Sequence, residues 1–125
     1  MNKKDINQVQ FGDYFICQRG IVKMVTKSGK DEFTAETKYK NYLYAPIACL
    51  QPITINPYTL ESAGFTPTDD NVFFYAKGVR VKFNRRMGVV DSISHDGACL
   101  DMAIKDFHVL QNALRLFGEE VELKQ

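Results

Sequence analysis

The sequence predicts an α+β fold dominated by antiparallel β-structure. Short strand-like runs follow one another with turn residues between them, as in a meander. Only two segments have the capping and periodicity of helices, one mid-chain and one near the C-terminus. Strand and helix do not alternate regularly, which argues against a parallel βαβ sheet. We expect one domain of 125 residues. Within it, residues 11–50 form a small β-barrel-like or meander unit. Residues 51–125 form a second antiparallel unit packed by the C-terminal helix.

Residues 1–10 are polar and read as a frayed end. Asp13–Gln18 and Ile21–Thr26 have strand composition and flank the turn Arg19-Gly20. Ser28-Gly29-Lys30-Asp31 is the next turn, and Glu32–Thr37 a third strand. Tyr39, Tyr42 and Tyr44 then lead into Ala45–Leu50. Asn56 is a helix cap, Pro57 suits the first helical position, and Gly64 the closing one. Ile55 and Leu60 form a hydrophobic staple, with Phe65 folded back on Leu60. Residues 66–71 read as a loop. Val72–Tyr75 is a strand, and Ala76-Lys77-Gly78 a turn. Val79, Val81 and Phe83 share one face of the next strand, with Arg80 and Lys82 on the other. After the turn 84–88, Val89–Ile93 and Ala98–Ile104 flank the turn His95-Asp96-Gly97. A helix spans about Asp106–Phe117, with Asp106 as its cap and Gly118 as its stop. Val121 and Leu123 suggest a final strand.

A net charge of +1 gives the whole molecule no preference for nucleic acid or an anionic membrane. Cys17, Cys49 and Cys99 are odd in number and far apart, which predicts reduced core thiols rather than disulfides or a zinc site. No run of about 18 apolar residues exists, and the N-terminus lacks the apolar stretch of a signal peptide. A cytoplasmic location, no membrane association, no metal and no cofactor are the resulting expectations. Asp69-Asp70 lacks the further ligands of a calcium loop, and no phosphate-binding glycine loop is present.

Three constellations could carry function. In the last helix, Phe107, Leu110, Leu114 and Phe117 form an apolar stripe, while His108, Gln111, Asn112 and Arg115 form a polar edge. That edge is either a ligand- or partner-binding surface or a set of side chains bonded to neighbouring loops; the residues alone leave both open. Arg80, Lys82, Arg85 and Arg86 stand beside Phe73, Phe74, Tyr75 and Phe83, a mixture that suits nucleic acid. Strand alternation puts Phe83 opposite Arg80 and Lys82, however, so the aromatics are expected in the core and the cations in solvent. His95, Cys99 and His108 could serve an enzyme only if they converge. Cys99, inside an apolar strand, is expected to be buried and inert.

Three patches also resemble a group of small proteins of Bacteroidetes genomes, phages and mobile elements. Pro52-Ile53-Thr54-Ile55-Asn56, with Leu60 and Gly64-Phe65, is similar to its P-I-x-L-T…L…G-F segment. Phe107-His108-Val109-Leu110-Gln111-Asn112, with Gly118-Glu119-Glu120, resembles its V-H-x-L-Q-N…G-E-E-L helix. Phe11-Gly12-Asp13-Tyr14-Phe15 resembles its opening. This chain has a larger residue at Phe107 and a helix about one residue shorter before the glycine. The group has no established activity, so the resemblance implies a genomic setting and an architecture. The expected function is a non-enzymatic binding or protein-interaction module with an unidentified protein partner. The edge above and the three tyrosines are its candidate contacts. Nucleic-acid binding and a small enzyme are the alternatives.

Overall fold

The computed structural model describes residues 9–30 and 32–124. The reading of residues 1–8 as a frayed end without a signal segment lies outside the described residues, as does Asp31. Four antiparallel strands come first: β1 (Tyr14–Cys17), β2 (Gly20–Gly29), β3 (Glu32–Thr37) and β4 (Tyr42–Pro46). They form an open meander in the order β1-β2-β3-β4. A 3-10 turn, Ile47–Cys49, then carries the chain back, and Gln51 makes a single antiparallel bridge to Ile16 of β1. Phe15, Val22, Met24, Phe33, Ala35 and Ala45 alternate onto one side of this sheet and make its core.

Helix α1 (Pro57–Ser62) begins as its sequence dictates. The Asn56 side chain accepts the Thr59 N–H at 2.9 Å, and the Thr59 hydroxyl bonds back to the Thr54 carbonyl at 3.1 Å. Phe65 donates its N–H to the Leu60 carbonyl, and both side chains enter the core. Asn56→Ala removes this cap and is expected to cost about 1 kcal/mol, read from urea unfolding. A loss below roughly 0.3 kcal/mol would mean that tertiary packing alone holds α1.

The second sheet runs β5 (Thr66–Pro67), β6 (Phe73–Ala76), β7 (Val79–Asn84), β8 (Val89–His95) and β9 (Ala98–Ile104), again in sequence order. Thr66 and Pro67, expected in a loop, pair with Tyr75 and Phe74. Two hairpin turns use paired positive φ angles, at Lys77-Gly78 (50° and 76°) and Asp96-Gly97 (50° and 84°). That twist matches the flanking strands and needs a glycine at its second position. Helix α2 (Phe107–Leu116) closes the larger core, in which Phe74, Val81, Ile93, Ile104, Leu110 and Leu114 are central.

The structure corrects several details. Asp106 occupies the cap position of α2, but its side chain makes no capping bond; its backbone bridges Thr54 instead. Residues 119–124 form no strand, although Val121 and Leu123 are buried and Lys124 donates its N–H to the Ser62 carbonyl. The cysteines are free but not core thiols: Cys49 and Cys99 are exposed and Cys17 is half-buried. Among the described residues no helix is long and apolar enough to cross a membrane.

Candidate functional site

The polar edge of α2 faces inward. Every residue from Phe107 to Leu114 is buried, because α2 packs against the second sheet on one side and β1 on the other. His108, Gln111 and Asn112 are only 6%, 1% and 2% exposed, so they present no open binding surface. Of the four predicted contact residues, Arg115 alone is partly exposed.

Gln111 joins three chain segments. Its Oε1 accepts the Tyr14 N–H at 2.9 Å, and its Nε2 donates to the Gly12 carbonyl at 2.9 Å. A longer contact, 3.4 Å, reaches the Val121 carbonyl. These are groups of the first strand, the turn before it and the C-terminal tail. The amide supplies both a donor and an acceptor, as each backbone edge requires.

Beside it lies an ionic cluster. Asp13 is fully buried. Its carboxylate accepts the Gln10 N–H at 2.8 Å, Asn112 Nδ2 at 3.3 Å and Arg115 Nη1 at 2.6 Å. Arg115 Nη1 also donates to Asn112 Oδ1. The other edge of the guanidinium grips Glu120, with Nε and Nη2 each 2.9 Å from a carboxylate oxygen. Burial pushes the Asp13 carboxyl above its ordinary range, against the opposing pull of Arg115. Burial disfavours the Arg115 charge, but the bonds to Glu120 and Asp13 more than offset this and raise its pKa. Burial, with Glu122 nearby, pushes the Tyr14 phenol up to about 12. The His108 ring packs on Phe15 with centroids 4.6 Å apart. The edge is an internal latch between the two sheets.

Sequence reading missed Gly12, Asp13 and Glu120. Gly12 holds φ at 91°, and a Cβ there would stand 2.9 Å from Arg115 Nη2 and 3.2 Å from Glu120 Oε2. Gly12→Ala is therefore expected to lower stability by about 2 kcal/mol, through backbone strain and displacement of the guanidinium. A calorimetric Tm within a degree of wild type would show that the cluster accommodates the methyl group.

The basic strand lies as its alternation predicts, with Arg80 and Lys82 exposed and Val79, Val81 and Phe83 buried, but two of the neighbouring aromatics do not. Phe74 and Phe83 are core residues, packed edge to face at 6.2 Å. Phe73 and Tyr75 are not: the register pairs Phe73 with Lys82 and Tyr75 with Arg80, on the outward face. The Arg80 guanidinium lies 4.8 Å from the Phe73 ring centroid. Arg85 and Arg86 are exposed in the following turn. Asp101 shares this face through Ser92, which pairs with both Lys82 and Asp101.

His95, Cys99 and His108 do not converge. His95 opposes Ala98 and stacks on Phe117 of the α2 side, with its nitrogens 3.3 Å from Glu119 and 3.4 Å from Asp96. Cys99 opposes Ser94, one position along β8, and therefore points from the other face. Desolvation and the Asp101 carboxylate, 3.5 Å from its sulfur, push the Cys99 thiol up, which disfavours the nucleophilic thiolate. His108 is buried against β1. Among the described residues no three His, Cys, Asp or Glu side chains gather as a metal would require.

Two surface features remain. Tyr39, Tyr42 and Tyr44 are exposed. A cleft of about 730 Å³ opens between β1 and β4, bordered by Ile16, Cys17, Leu43, Tyr44 and Cys49. Comparison with protein-family models, curated proteins and solved structures finds no match to the chain.

Proposed function

We propose that this protein is a non-enzymatic protein-interaction module that takes up an extended segment of a partner along β4. The supporting observation is the state of that strand. β4 lies at the edge of its sheet, paired with β3 on one side only among the described residues. Its free side borders the cleft toward β1. Tyr42 and Tyr44 are exposed by 66% and 61%, and Ile16 and Ile47 are exposed nearby. Unpaired backbone groups offer affinity to an added strand, and alternate side-chain contacts offer selectivity. Tyrosine suits such a surface because it has a large apolar face and a polar tip. The family resemblance supports a phage or mobile-element setting.

Selection from a random peptide library tests this. Extended peptides with alternating apolar residues should be enriched, and Tyr42→Ser/Tyr44→Ser should weaken them at least tenfold. Enrichment of peptides indifferent to this double substitution would overturn the reading, as would no enrichment.

A second reading rests on the register of β6 and β7. Phe73 and Tyr75 interleave with Arg80 and Lys82 on an open sheet face, the combination on which unpaired bases stack beside phosphate-binding cations. Titration with single-stranded DNA and RNA at two salt concentrations tests it. Binding should weaken as salt rises, and Arg80→Ala/Lys82→Ala should flatten that dependence. Absent or salt-insensitive binding would remove this reading.

A further inference from the structure

A second cleft, of about 480 Å³, lies where the first sheet meets α1 and the C-terminal tail. Its lining is electrically one-sided. Arg19 enters from the β1–β2 turn, Lys38 from the β3–β4 turn and Lys124 from the tail, and among the described residues no carboxylate lines it. The ion pairs among the described residues use Lys23, His95 and Arg115, and none of these three cations. Three like charges converging on one concavity repel one another, so their field is strongest where an anion would relieve it. The contrast with the whole molecule is sharp, since its net charge is only +1.

The walls add directional groups. The Thr37 hydroxyl oxygen accepts the N–H groups of Tyr39 and Asn41, each at 3.3 Å, which leaves its O–H to donate. Tyr39 and Tyr58 line the cleft and are 73% and 80% exposed. Lys38 Nζ lies 5.2 Å from the Tyr39 ring centroid. Ile53 and Leu123 contribute an apolar floor. The volume falls in the range of small-molecule sites, roughly 300–1,000 Å³. Glu36 and Glu122 line an adjoining shallow groove instead, where Glu122 is paired with Lys23 at 3.5 Å.

We infer that this cleft binds a small phosphate-bearing ligand, its phosphate held by Arg19, Lys38 and Lys124. The tyrosines offer faces for a planar ring on the same ligand. This goes beyond strand addition at β4 and does not depend on it.

Titration calorimetry with inorganic pyrophosphate, AMP and adenosine tests the inference on the full chain. Pyrophosphate and AMP should bind, and adenosine should not. Arg19→Gln/Lys38→Gln/Lys124→Gln should weaken binding at least tenfold. All three side chains are exposed, so circular dichroism should be unchanged; Lys38→Glu alone gives the same direction if the triple variant folds poorly. AMP bound more tightly than pyrophosphate, with the difference lost in Tyr39→Ala/Tyr58→Ala, assigns a nucleotide. Equal binding assigns a free oligophosphate. No binding by either phosphate probe, adenosine binding as well as AMP, or affinity unchanged in both charge variants would overturn the inference.

Discussion

Gln111→Ala is expected to lower stability by roughly 3–5 kcal/mol, the largest effect of any single polar substitution in this chain. The side chain is 1% exposed and satisfies the Tyr14 N–H and the Gly12 carbonyl, both at 2.9 Å. Truncation strands both groups in a site with little access to water. Each stranded buried group costs about 1–3 kcal/mol, and the vacated volume adds to the loss. Gln111→Met separates the two terms, because it keeps the volume and loses the bonds. It should retain most of the destabilisation. Urea unfolding gives the magnitude, and amide exchange gives the place: the Tyr14 amide should exchange far faster than the amides of β7. A loss under 1 kcal/mol for both variants would show that the sheets are held together without the latch.

Arg115→Met is expected to cost about 2–4 kcal/mol at neutral pH, below the ~3–5 of a fully buried pair because Arg115 keeps part of its surface in water. Its pH dependence is the more discriminating result. The Asp13 carboxyl is already raised above its ordinary 3.8 by burial, so its protonated form favours the folded state. That contribution is complete below the unfolded-state value of 3.8 and is lost as pH rises through the higher folded-state value. Removing Arg115 takes away the nearest opposing charge and raises the folded value further. The variant should therefore approach wild-type stability near pH 4 and fall behind as pH increases. Unfolding curves at several pH values check this. A deficit independent of pH would assign the role of Arg115 to packing and to Glu120.

Much of the fold follows from local signals. The cap of α1, with Pro57 behind Asn56, requires only neighbouring residues. So do the Lys77-Gly78 and Asp96-Gly97 turns, and the alternation of Val79, Val81 and Phe83. The helix at 107–116 was legible as a helix, and its apolar stripe enters the core. Its other face was not legible. Histidine, glutamine, asparagine and arginine in a row read as a wet edge, yet all but the arginine are buried. Their partners Gly12, Asp13, Tyr14 and Val121 lie far away in sequence, apart from Val121, and three of the bonds go to backbone groups with no residue signature. Phe73 and Tyr75 failed differently: in an aromatic run the sequence does not say which members alternate outward, and only the pairing with Lys82 and Arg80 decides it. Cys99 reached the surface for the same reason.

The sequence by itself determined the fold class, the two helices and most of the turns. These depend on propensities and periodicities that act within a few residues. The tertiary structure decided that the α2 edge is a latch, that three distant cations share one cleft, and that β4 is left as an edge among the described residues. Each of these depends on which strands become neighbours, and that is set by long-range burial, not by local chain geometry.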